Sequence, residues 1–179
     1  DVDFNMLVAG SIAPVTPIPV SVTTAADVLQ YVSAGNINGN ALSITMSLTP
    51  GTALGSTTVF HWASFVDASN YTAILSDGTN LIARKRINAA NHDATIAWAR
   101  TVGVAVKLGS RFDTTNGIDI FLLGTKGTND ATTTASQIGT NFQHGADGND
   151  ANQDYSMHRF FNAYPVGLSD SRFLALTTP

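Results

Sequence analysis

A chain of 179 residues can bury one core without help from disulfides or metals, and it leaves no room for a second full domain. It has no cysteine, which excludes a disulfide framework, thiolate catalysis and cysteine-ligated zinc; a net charge of -4 with only 12% charged residues argues against a nucleic-acid footprint. All thirteen acidic residues are Asp, and the lack of Glu removes both the commonest carboxylate acid or base and a strong helix former.

With no initiator Met, no basic segment leading into an apolar run and no apolar stretch near the ~20 residues a membrane helix needs, the chain reads as a processed product or a cut-out fragment, without membrane insertion. Residues 1–23 carry Pro14, Pro17 and Pro19 in a Val, Ile and Thr background and are expected as an extended arm or linker, followed by a single domain over 24–179. Strands are expected at 27–32 and 41–48, separated by Gly35-Asn36-Ile37-Asn38-Gly39-Asn40, a run suited to positive φ. Residues 57–66 are apolar on both sides, the pattern of a central strand covered on both faces. Asp77-Gly78 between 71–76 and 80–87 predicts a hairpin, and Arg84-Lys85-Arg86 reads as an edge protected by charge. A weaker strand is expected at 93–100.

The cleanest period of two lies between 101 and 127. Val102, Val104, Val106 and Leu108 share one face, 110–117 reads as a polar reversal, and Ile118, Ile120 and Leu122 resume the alternation before Gly124 and Gly127 mark a turn. This predicts an antiparallel pair joining 102–108 to 118–123. Beyond it lies a long loop region up to 154 with one short strand at 137–142. A strand at 155–164 is closed by Pro165, and a short helix is expected over 169–176, capped by Ser169. Many short strands with Gly, Asn and Asp turns favour two antiparallel sheets.

Four pieces in this order carry a resemblance: Thr24-Ala25-Ala26-Asp27-Val28; Ile74-Leu75-Ser76-Asp77-Gly78-Thr79-Asn80; the pair between Val104 and Gly124; and Gly167-Leu168-Ser169-Asp170 before Phe173-Leu174-Ala175-Leu176-Thr177. The chain resembles the laminin-G-like, concanavalin A-like jelly-roll domains at the C-terminal ends of bacteriophage tail fibres and related virion surface proteins. The fold implied is an all-β, two-sheet antiparallel jelly-roll sandwich with a short C-terminal helix. One departure is Leu123-Gly124, where the family often turns with Asn-Gly. The resemblance implies a location on the virion surface, outside the host cell, often as a homotrimer, and either attachment to a host cell-surface glycan or assembly with other virion proteins.

Jelly rolls of this kind also serve as polysaccharide hydrolases, which pair two carboxylates roughly 5 to 9 Å apart. Without Glu, and with no strand showing Asp at alternate positions, hydrolysis is the lesser alternative to a non-catalytic role; an Asp pair built from different loops stays open. His61, His92, His144 and His158 lack zinc-protease spacing, and no Gly-x-Ser-x-Gly elbow anchors a triad. Asp147, Asp150, Asn152 and Asp154 place oxygen ligands closely enough for a weak calcium site, the alternative being a solvated turn; Tyr155 and Phe161 stand where an EF-hand needs Gly and an acid. Trp62 and Trp98 fall in apolar strand patterns and are expected in the core. The sugar-site expectation rests on residues near turns, Tyr71, Asn91, His92, Asp93, His144, Asp147, Asn149 and Tyr155, since loops carry function while strands carry the fold.

Overall fold

The computed structural model describes residues 29–51, 58–145 and 156–179. The expected arm at 1–23 lies outside them. Period-two runs become eleven strands among the described residues: β1 (Leu29–Val32), β2 (Ala41–Pro50), β3 (Val59–Asp67), β4 (Asn70–Ser76), β5 (Asn80–Ile87), β6 (Ala90–Ala97), β7 (Val106–Asp113), β8 (Gly117–Leu122), β9 (Thr125–Asp130), β10 (Asn141–His144) and β11 (Ser156–Tyr164). They form a six-stranded sheet, β1-β10-β3-β4-β5-β6, and a five-stranded sheet, β11-β2-β7-β8-β9, with every neighbouring pair antiparallel. The one helix among the described residues, α1 (Asp170–Thr177), starts where Ser169 accepts a hydrogen bond from the Arg172 amide, as the capping pattern predicts.

The core lies between the sheets. Leu42, Ile44, Met46 and Leu48 of β2 and Leu108, Phe112, Ile118, Ile120 and Leu122 of the β7–β8 pair face Trp62, Ile74, Leu81, Ala83 and Phe142 of the larger sheet. Trp62 and Trp98 are both buried, as expected. β3 is covered on both faces: Trp62 enters this core, while Phe60 and Ala63 join Tyr71, Ala73, Leu75 and Ile82 in a second cluster.

The antiparallel pair expected at 102–108 and 118–123 forms with a shift. β7 starts only at Val106, Leu108 lies opposite Leu122 and Asp113 opposite Gly117, so Val102 and Val104 are left half-exposed outside the strand. Ser110 and Arg111, expected in the reversal, sit inside β7 because partners satisfy them: Ser110 Oγ donates to the Asp119 carbonyl at 3.0 Å, and Arg111 pairs with the Asp119 carboxylate. The chain reverses at Asp113, whose carboxylate accepts from the amides of Thr115 and Asn116. Leu123 and Gly124 then turn with φ of 49° and 75°, the two positive values of a tight hairpin.

Two further readings change. β9 occupies residues expected as turn and loop, and Gly127 is needed within it because a Cβ there would meet the Thr95 carbonyl oxygen at 2.4 Å. β5 is an interior strand rather than a charge-protected edge: Arg84 is ion-paired with Asp93 on β6, and Lys85 turns inward, fully buried. Boundaries move by a few residues at β6 and β10, which the sequence places at 93–100 and 137–142.

The two lateral sides of the sandwich differ. On the β6–β9 side, Thr128 Oγ1 accepts from the Thr95 amide at 2.7 Å and donates to the Thr95 carbonyl at 3.2 Å, stitching one sheet to the other. The β1–β11 side ends in two strand edges and exposes Tyr31, Val32 and Met157.

Candidate functional site

Register separates the expected sugar-site residues that are described. Tyr71, Asn91, His92 and Asp93 stand near the β3–β4 and β5–β6 turns, and His144 stands at the far end of β10. Asp147, Asn149, Asp150, Asn152, Asp154 and Tyr155, which include the whole calcium expectation, lie outside the described residues. Among the described residues no three His, Cys, Asp or Glu side chains gather to hold a metal.

On β4–β6 the register sets Tyr71 beside Arg86 and Arg86 beside Asn91, with Arg84 beside Asp93 in a neighbouring row. Arg84 donates from Nε and Nη2 to the two Asp93 oxygens, each at 2.7 Å, and these bonds hold its guanidinium above its ordinary range against the opposing cost of burial. Asp93 is therefore spent on β5. Tyr71 is 5% exposed, packed against Phe65 with ring centroids 4.6 Å apart and under the Arg86 guanidinium, so it offers no free ring face. Asn91 is exposed. His92 Nδ1 lies 2.8 Å from Thr132 Oγ1, tying β6 to the segment after β9. That segment is also held by Lys85, whose Nζ donates to the carbonyls of Asp113 at 3.1 Å and Thr134 at 2.9 Å. Burial pushes the Lys85 ammonium down to about 8, with Asp113 and Asp130 opposing the shift.

His144 belongs to an aromatic group between the sheets. Its ring stands edge-on to Phe161 at 4.0 Å and to His158 at 5.8 Å, and burial, with His158 adding repulsion, pushes it down to about 3. A neutral imidazole packed this way is a core group.

The most open aromatic among the described residues is one that strict strand alternation hides. Phe160 on β11 is 61% exposed because a bulge between His158 and Phe160 shifts the pairing with β2; His158 meets Leu48, and Phe160 meets Ser47. Strict alternation from His158 sends Phe160 inward and Phe161 outward, and the bulge reverses both. Phe160 thereby faces a groove of about 190 Å³ with Thr45, Ser47, Lys107, Asn162 and Leu176. Its far side is α1, seated on β7 and β8 by Phe173, which stacks on Phe121 at 4.5 Å. A network fixes the helix start: Asp170 takes Arg111 at 2.9 Å and Lys126 at 2.7 Å, while Lys126 also reaches the buried Asp119 at 2.9 Å. A second hollow of about 410 Å³ is walled by Val32, Ile37 and Ile138, with Ser33 and Thr140 beside them.

No family model and no curated protein sequence matches the chain. Solved structures do. The binding domain of botulinum neurotoxin serotype D is similar with a TM-score of 0.67 at 10% identity, over 85% of this chain and 40% of that one. The native heptameric SAP-like pentraxin of Limulus polyphemus gives 0.57 at 12%, over 75% and 68%. The Ruminococcus gnavus IT-sialidase CBM40, solved bound to α2,3-sialyllactose, gives 0.57 at 11%, over 77% and 83%. The fold is a jelly-roll sandwich. The chain spans 35–40% of the length of the neurotoxin binding domains it resembles.

Proposed function

We propose that this chain is a non-catalytic, carbohydrate-binding domain of a phage tail fibre or similar virion surface protein, attaching to host surface glycan. The observation that carries the reading is Phe160, an open aromatic ring in a groove with hydroxyl, amide and ammonium groups on a jelly roll. Two of the similar structures are by title a toxin binding domain and a module bound to sialyllactose, which supports a binding role.

Carboxylate chemistry supports the non-catalytic side. A glycosidase needs one carboxyl group raised so that it can donate a proton. At Asp77, Asp113 and Asp130 burial pushes upward, but hydrogen bonds from the following turn residues outweigh it and hold the groups below the usual range. The Lys126 hydrogen bond likewise lowers Asp170. Incubation with host polysaccharide is expected to release no reducing ends, while a glycan array is expected to retain the protein; release of reducing ends sinks the reading in favour of a hydrolase.

A second reading, a structural domain of a fibre without glycan binding, draws support from exposed Tyr31, Val32 and Met157 on the unstitched side. An array that retains no protein, with an assembly that covers this side, would favour it.

A further inference from the structure

α1 packs on the outer face of the five-stranded sheet against β7, β8 and β9 and touches β2, and between it and β11 it leaves a narrow groove at whose floor Thr45 and Ser47 are each 6% exposed. Close seating explains the boundary: a Cβ on Gly109 of β7 would stand 2.7 Å from the Phe173 ring, so the helix lies directly on the strand there. Its last turn is fixed as well. Thr177 Oγ1 donates to the Phe173 carbonyl at 2.9 Å and accepts from the Gly124 amide at 3.2 Å, so Leu176 is held as one wall of the groove. Phe160 forms the other wall, and Thr45 and Ser47 of β2 lie between them.

We infer that this groove is a saccharide subsite that takes one pyranose ring, its apolar face against Phe160 and its hydroxyls toward Thr45, Ser47, Asn162 and Lys107. The inference rests on the glycan-attachment reading and names its site. Sugars need a flat apolar partner together with both donors and acceptors, and the groove supplies an aromatic ring, two hydroxyls and an amide. Lys107 Nζ spends one bond on the Thr178 carbonyl at 2.9 Å, which leaves donors for a ring hydroxyl.

Other occupants fit less well. A peptide strand added at the unpaired β11 edge would lengthen the sheet beside the groove rather than fill it, because the floor, β2, is hydrogen-bonded to β11 on one side and to β7 on the other. An anion needs convergent cations, and Lys107 is the one basic residue lining the groove. A volume of about 190 Å³ suits a single ring rather than an oligosaccharide. Affinity per domain should then be on the order of millimolar, with attachment strengthened by presenting several copies.

The test uses the full chain and two variants, Phe160→Ala and Leu176→Trp, the second filling the groove from its helix wall. Both positions lie outside the inter-sheet core, so the far-UV spectrum and thermal midpoint should hold. A glycan array identifies retained sugars, and lactose, maltose and α2,3-sialyllactose are titrated against ¹⁵N-labelled protein. The inference predicts shifts at the amides of Ser47, Lys107, Phe160 and Asn162, about tenfold weaker binding in Phe160→Ala, and loss in Leu176→Trp. Retention on the array that neither variant changes overturns the groove while leaving glycan attachment standing. No retention of the unmodified chain overturns the attachment reading and this inference with it.

Discussion

Lys85 is a lysine with no exposed surface whose ammonium is held by main-chain carbonyls. Its folded pKa, about 8, lies below the 10.5 of an unperturbed lysine, so the folded state loses its proton first. The associated stability is present above pH 10.5 and is lost as pH falls through about 8. Urea unfolding should therefore show stability rising between these values, and Lys85→Met should flatten that rise. The same variant should cost about 2–4 kcal/mol at neutral pH, since it strips donors from buried carbonyls. His144 works on the acid side with the same sign. Its neutral form is favoured by burial, so its contribution is present above 6.5 and is lost as pH falls toward about 3. His144→Phe should keep the packing on Phe161 and remove part of the acid sensitivity; unchanged acid unfolding would sink this account. Neither residue could be located from sequence. A lysine between two arginines on an alternating strand looks like surface charge until the sheet order places β5 inside.

At the scale of elements, legibility followed periodicity. The β4–β5 hairpin around Asp77-Gly78, the two-faced burial of β3 and the Ser169 cap were readable, because local turn chemistry and apolar alternation agree there; for β7 and β8 the partnership was readable but not the turn, which starts at Asp113 rather than Ser110. β9 was not readable, since TKGTND has no apolar alternation and pairs through its backbone and the Thr128 stitch to Thr95. Thr128→Val should cost about 1–2 kcal/mol and speed amide exchange at Thr95, whereas equal exchange in both proteins would show that the stitch is not holding the sheets together. The groove was hidden for a different reason: a one-residue bulge in β11 decides which of two adjacent phenylalanines faces out, and nothing in SMHRFFNAY marks it. The turn at Leu123 gives a complementary test. A leucine at φ of 49° is strained where glycine or asparagine is at ease, so Leu123→Asn should stabilise the fold by about 0.5–1 kcal/mol in urea unfolding.

For the whole molecule, the unequal sides of the sandwich govern how copies can meet. The β6–β9 side is stitched by Thr95 and Thr128, which leaves little backbone to pair with another chain. The opposite side presents the edges of β1 and β11, with Val32 60% exposed, Met157 58% and Tyr31 49%. Among the described residues β1 runs for four, and β11 is broken by its bulge, which resists open-ended strand addition. Apolar side chains beside such a blunted edge suit a closed assembly better than a fibre of sheets. If the domain works as a trimer, this is the side expected at the contact, and the groove at Phe160, on the same strand as Met157, lies beside that contact and opens on the outer face of the smaller sheet. Light scattering on the full chain should then give a mass above the 18.8 kDa of one copy, and Val32→Lys combined with Met157→Lys should return it to that mass with an unchanged far-UV spectrum. The double variant should still bind sugar weakly in solution, but it should lose retention on a dense glycan surface, because several millimolar sites act together only when they are linked. A chain that is monomeric at high concentration before any substitution, or a double variant that keeps both its mass and its retention, would remove this side from the account of assembly.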